Sequence, residues 1–279
     1  MPYLKELCSR TNMNNPANAL WKLTAFREEF RQKPYELIDI QESKIAYHAG
    51  ATLEQAQPVG HSVIEVNSRE DLQAVLNTNA GSGKTLFLRA GEYRLKQSLT
   101  IPSDIHICGE GRSTVLICEP TIRTAAILLG DLDAKNITIE NLVVDGSKEH
   151  QEAYDPNSGR FYRTGRYSNA LAGISMRGEA GHAFSNIKLK NLTVINFSRS
   201  GVYISDAEGI EIDHCDFTEN GAHVVPGPRL QHNLMIQPSS NIMIKDSRFD
   251  TSIRGCGLVL DHCKSLKVEN CEIARNGWH

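Results

Sequence analysis

The amino-acid sequence predicts an all-β solenoid of parallel strands, and three observations carry that reading. A short pattern recurs five times, at Asn136–Val144, Asn186–Val194, Gly209–Phe217, Asn241–Phe249 and Ser265–Ile273. Each copy begins with a small polar residue or glycine, alternates apolar and polar residues, breaks at a polar turn residue and resumes. The steps between successive starts are 50, 23, 32 and 24 residues. A second alternating stretch precedes each copy, at Ala125–Leu129, Gly173–Arg177, Gly201–Ser205, Asn233–Gln237 and Gly257–Asp261. Period-2 alternation marks half-buried strands, and a repeat near two dozen residues marks coils that bury their faces against one another.

Taken in chain order, residues 1–61 read as a helical segment and linker that cap the N-terminal end. Leu20, Leu23, Phe26 and Phe30 fall at helical spacing after Asn15-Pro16, and Pro34 closes the pattern. Ser68 is the expected N-cap of a short helix carrying Leu72, Val75 and Leu76, with Asp71 in its first turn. Strands begin at Thr85–Leu88, and the solenoid is expected over residues 62–279. Gly81–Thr85 has the look of a phosphate loop, but Thr78 stands where the first glycine is required and a strand follows, so a hairpin-like turn is expected.

The stretch Leu86–Leu95, with Leu99–Ile117 after it, resembles the opening rungs of right-handed parallel β-helix proteins of the pectin-lyase-like superfamily. With the later repeats the resemblance covers residues 62–279 and implies a right-handed coil. It does not select an activity, because that superfamily contains lyases, hydrolases, epimerases, esterases and phage tailspikes. The paired Asp-Asp, Gly-His-Gly and Arg-Ile-Lys motifs of polygalacturonase-like hydrolases are missing. So is the Asp-Pro-His-Asp of alginate epimerases, of which Tyr154-Asp155-Pro156-Asn157 is a partial echo. No catalytic residue is therefore carried over from a named enzyme family.

Registering the repeats sorts inward from outward residues. Ile174/Met176, Val202/Ile204, Leu234/Ile236 and Leu258/Leu260 face inward. Ser175, Tyr203, Met235 and Val259 form one outward column, and Arg177, Ser205, Gln237 and Asp261 the other. The long steps come from insertions at 147–170 and 221–232, which are expected to wall a groove over these columns. Asp261 and His262 are the candidate acid–base pair, since a carboxylate beside an imidazole on a groove floor suits proton transfer; a solvated turn is the plainer alternative. Asp206 lies two rungs away, about 9.6 Å at ordinary strand spacing, near the upper limit for an inverting carboxylate pair.

Arg177, Tyr203 and Gln237 on the floor are candidate substrate contacts, with His223, Arg229 and His232 from the second insertion and Arg163 and Tyr162 from the first. Arginines among aromatics suit anionic sugars, by charge and by stacking. The expected function is a polysaccharide-active enzyme, lyase or glycoside hydrolase, binding an acidic glycan in that groove. The alternative is a non-catalytic glycan-binding or structural β-helix of a cell surface or virion.

The near balance of 30 Lys+Arg against 33 Asp+Glu argues against a nucleic-acid surface. No apolar run is long enough to span a membrane. The N-terminal residues carry no signal-peptide pattern, so the compartment is extracellular if a signal has been removed and cytoplasmic otherwise. Seven cysteines include Cys215 and Cys271 in one column with Ser247 between them, too far apart to bond. Asp213–Cys215 and Asp261–Cys263 look like twin metal motifs but fall on different strands, so no metal site is expected; the cofactor is left unassigned. Asn136 and Asn191 match glycosylation acceptors, but a column of polar turn residues explains the positions better. Arg275–His279 repeats Glu219–His223, so a new rung is beginning where the sequence stops; the expectation is either a longer protein of which this is a piece, or an oligomer partner or further domain that covers the open rung.

Overall fold

The structure is a computed structural model that describes residues 62–147, 152–155, 160–163, 170–178, 182–221, 231–252 and 255–277. The N-terminal helical segment expected over residues 1–61 lies outside them. What is described is a right-handed parallel β-helix whose coils present three sheet faces to solvent. The first face stacks Val63–Val66, Thr85–Leu88, Ile105–Gly109, the leading halves of Lys135–Asp145 and Phe184–Ile195, then Ala207–Asp213, Ser240–Lys245 and Lys264–Glu269. The second face carries Gly91–Leu95, Thr114–Cys118, the trailing halves of the two long strands, Asp216–Thr218, Arg248–Asp250 and Glu272–Ala274. A separate six-stranded sheet forms the third face from Leu99–Ile101, Ala125–Leu129, Ala172–Arg177, Ser200–Ser205, Leu234–Ile236 and Leu258–Leu260.

The repeated pattern crosses from the first face to the second at one corner. Asn141, Asn191, His214, Asp246 and Asn270 all hold left-handed backbone there, with φ between 48° and 56°. Asparagine and aspartate adopt this conformation at lower cost than other side chains. The asparagines also stack: Asn191 Nδ2 donates to Asn141 Oδ1 at 2.7 Å, and Asn270 Nδ2 to Asp246 Oδ1 at 3.2 Å. A second polar stack stands at the strand starts, where Asn186 donates to Asn136 and Asn136 to Asp104.

Inside the coil, like stacks on like. Ile137, Ile187, Ile210 and Ile242 pair in register, as do Ile139, Leu189, Ile212 and Ile244, and all are buried. Phe217 lies 5.8 Å from Phe249, ring to ring. The next members of these columns, Leu266, Val268 and Ile273, are exposed. One polar stack runs through the interior as well. Asn220 Nδ2 donates to Val194 O and Asn233 Oδ1, and Asn233 Nδ2 donates to Asp250 O and Asn276 Oδ1. Beside it the chain must be glycine at position 201, where a Cβ would lie 2.6 Å from the Asn233 carbonyl oxygen.

Three local expectations change. The N-cap of the short helix Leu72–Thr78 is Asp71, whose carboxylate accepts from the Gln73 and Ala74 amides at 3.0 and 3.1 Å; Ser68 lies too far upstream to reach them. The glycines at 81 and 83 join that helix to Thr85–Leu88, which pairs parallel with Val63–Val66, so the turn is not a hairpin. Within the first insertion, Glu152–Asp155 and Arg160–Arg163 form an antiparallel ribbon. No disulfide joins the described cysteines, and Ser247 Oγ accepts from the Cys215 amide between the two cysteines of the column.

Candidate functional site

The third face displays the outward columns. Ser175 pairs with Tyr203, Tyr203 with Met235, and Met235 with Val259. Arg177 pairs with Ser205, and the same register carries the column on to Gln237 and Asp261. Pairing fixes the lateral spacing at about 4.8 Å per rung, so Arg177 and Asp261, three rungs apart, do not meet at one bond.

Three of the expected residues are joined into a diagonal strip. The Arg177 guanidinium lies over the Tyr203 ring, 4.5 Å from its centroid. The Tyr203 hydroxyl donates to Gln237 Oε1. Among the described residues no carboxylate pairs with Arg177, so its charge stands at the surface on an aromatic ring. Ser205 and Met235 are buried beside the strip, which leaves Tyr203 and Gln237 partly exposed as its floor.

Asp261 and His262 lie just beyond Leu258–Leu260. His262 Nδ1 meets Asp261 Oδ1 at 2.7 Å, and the backbone of His262 is left-handed, with φ 53°. The pair is open to water, with side chains 79% exposed for His262 and 46% for Asp261. Asp206 ends the equivalent strand two rungs back, also left-handed at φ 58°, with its amide donating to Pro238 O at 2.8 Å.

His232 does not join this face. It is buried, and its Nδ1 accepts from the Cys256 amide at 2.9 Å. Burial alone pushes the imidazole below its ordinary pKa, so it serves as a neutral acceptor holding the chain at Cys256. His223 and Arg229 lie outside the described residues. Arg163 and Tyr162 belong to the antiparallel ribbon, described in its backbone.

A concavity opens elsewhere. A depression of about 530 Å³ lies over the first face, lined among others by Thr85, Asp104, His106, Thr138, Glu140 and Lys188. His106 and Glu140 carry no mark in the sequence, because each occupies an ordinary outward position of a strand and only rung stacking brings them together. The twin Asp-His-Cys motifs do occupy different corners, one between the first and second faces and one between the third and the first.

No curated protein matches the chain. Among solved structures, a provisionally assigned glycosyl hydrolase from Parabacteroides merdae ATCC 43184 aligns at 17% identity and a TM-score of 0.53, covering 75% of this chain and 95% of that one. ORF18 of Geobacillus virus E2 aligns with the same identity and TM-score, and there the chain spans 41% of the protein it matches. At these identities the likeness is one of fold. The family model described as the right handed beta helix region matches residues 125–278. Coil, register and polar corner stacks agree with that match, and the chain belongs to the right-handed β-helix family.

Proposed function

We propose that the third face binds an acidic polysaccharide and that the protein is a lyase or glycoside hydrolase acting on it. The observation that carries this reading is the strip of Arg177, Tyr203 and Gln237. It sets a guanidinium, an aromatic ring and an amide along the strand-stacking direction, where a uronate carboxylate and a sugar ring find complementary partners. Asp261 and His262 supply acid and base at one end of the strip, with Asp206 as a second carboxylate. Arg163, Tyr162, His223 and Arg229 would add contacts from the insertions. His232 is left out because it is buried and already engaged. The fold shared with a provisionally assigned glycosyl hydrolase accords with this reading without choosing a reaction.

The second reading, a glycan-binding β-helix without catalysis, is favoured by the exposure of Asp261 and His262. General acid–base groups act best where water is excluded. A panel of uronic-acid polymers separates the two. Enzyme action releases unsaturated products seen by ultraviolet absorbance, or reducing ends seen by colour. Asp261→Asn and His262→Ala then abolish release while binding persists. Retention of a polymer with no product on either readout supports the binding module, and no retention of any polymer sinks both readings.

A further inference from the structure

The first face carries a set of side chains that neither reading uses. Thr85, His106, Cys108 and Glu140 belong to three consecutive rungs, with Thr85 beside His106 and Cys108 beside Glu140 in the register. His106 and Cys108 are two residues apart on one strand, so both face outward from the coil. His106 Nε2 meets Glu140 Oε1 at 2.9 Å. A ring nitrogen of His106, the Cys108 sulfur and a Glu140 oxygen all lie within 4.8 Å of one another. Around a tetrahedral zinc ion, with bonds of about 2.0–2.3 Å, neighbouring ligand atoms stand about 3.2–3.6 Å apart. To enclose an ion, His106 Nε2 and Glu140 Oε1, now 2.9 Å apart, open by about half an ångström, and the wider separations close by at most about 1.2–1.6 Å.

The surroundings suit a metal as well. Thr85 Oγ1 lies 3.0 Å from His106 Nδ1, which gives the ring a hydrogen-bond partner on the side away from Glu140. Such a partner fixes the tautomer that leaves the other nitrogen free to ligate. Burial pushes the Cys108 thiol up to about 12, and Asn141 Nδ2, donating to its Sγ at 3.4 Å, works against that rise, so the sulfur keeps its proton until an ion displaces it. His106 and Glu140 line the concavity while Cys108 lies beneath, fully buried. The set is thus closed on one side and open on the other.

We propose that His106, Cys108 and Glu140 form a binding site for a borderline divalent transition metal, of which Zn²⁺ is the type. Thiolate and imidazole select such ions over Ca²⁺ or Mg²⁺. On binding, the Cys108 thiol gives its proton to solvent and sulfur bonds the ion. The His106 proton moves from Nε2 to Nδ1, whose N–H donates a hydrogen bond to Thr85 Oγ1, and the vacated Nε2 bonds the ion. Thiolate and carboxylate together balance the 2+ charge. The fourth position faces the concavity beside Lys188 and Lys190 and takes water or a small anion.

The test is titration of the full metal-stripped chain with Co²⁺ alone, followed by competition with Zn²⁺. Expected are stoichiometric uptake, the strong visible bands of tetrahedral cobalt and a thiolate-to-cobalt charge-transfer band in the near ultraviolet, all bleached by Zn²⁺. Cys108→Ser removes the charge-transfer band, and Thr85→Val, nearly isosteric, weakens affinity about 10–100-fold. Circular dichroism establishes that each variant is folded, and the wild-type spectrum is decisive by itself. The proposal is overturned by absence of uptake, or by a weak octahedral spectrum without the thiolate band. It is equally overturned if binding is lost in His214→Gln, in the half-buried Asp213, His214 and Asp246 cluster, and retained in Cys108→Ser.

Discussion

Asp250 shows how one side chain couples charge to the fold. Its side chain is 2% exposed, and burial by itself would raise its pKa. Arg275 outweighs burial: its guanidinium grips both carboxylate oxygens, with Nε 3.0 Å from Oδ1, and Thr251 adds a hydroxyl. The net result is a carboxyl held below its ordinary value. A carboxyl depressed in the folded state stabilises the fold above its unfolded pKa and loses that contribution as pH falls through the folded value. Asp250→Asn is expected to lower Tm at neutral pH, and the gap from wild type to narrow below about pH 4. Thermal melts across that range check it; a gap that stays constant would refute the linkage. At the third face, Arg177→Ala and Tyr203→Ala are each expected to weaken polyuronate binding by about tenfold, since a hydrogen bond to a charged group is worth about 1.5 kcal/mol or more and loss of the Tyr203 ring removes the platform under the Arg177 guanidinium. Tyr203→Phe, which keeps the ring and frees Gln237, should lose less, as affinity electrophoresis would show.

At the scale of elements, the corner stack governs where each strand bends. Asn191 contributes both left-handed backbone and a side-chain bond to Asn141. Two substitutions separate these. Asn191→Gly keeps the backbone option and loses the bond, for about 1 kcal/mol. Asn191→Ala loses both and is expected to cost about 2–3 kcal/mol in denaturant melts. Equal losses would mean that the backbone preference contributes nothing. These turns were legible in the sequence because asparagine and aspartate, with one histidine, recur at one step of the pattern. The Asn220, Asn233 and Asn276 ladder was not, since Asn233 opens a strand on a different face from Asn220 and Asn276, and only coiling brings the three together. The N-cap moved from Ser68 to Asp71 for a local reason: both are good capping residues, and the choice rests on where the first helical turn docks.

For the whole molecule, each rung is stabilised by its neighbours on both sides, so stability is distributed along the coil rather than held at one centre. Leu189 is fully buried between rungs, and Leu189→Ala is expected to cost about 2–5 kcal/mol. Leu266, in the last described rung and 42% exposed, should cost far less on the same change. Native-state hydrogen exchange is expected to show Ile187–Val194 among the slowest amides and Leu266–Ile273 among the fastest, following the burial gradient. Uniform protection along the coil would argue for all-or-none unfolding instead.

Alternation, repeat length and polar turns suffice to determine a parallel solenoid, its inward and outward residues and the outward columns of the third face, because strand period and rung stacking are properties of the chain read locally. Which outward residues meet is a different matter. The contact of Arg177 with Tyr203, the burial of His232 and the convergence of His106, Cys108 and Glu140 depend on lateral register between rungs and on how the turns aim each strand. Neighbours on one face lie about 4.8 Å apart across rungs yet more than twenty residues apart in sequence, so their chemistry is settled by packing.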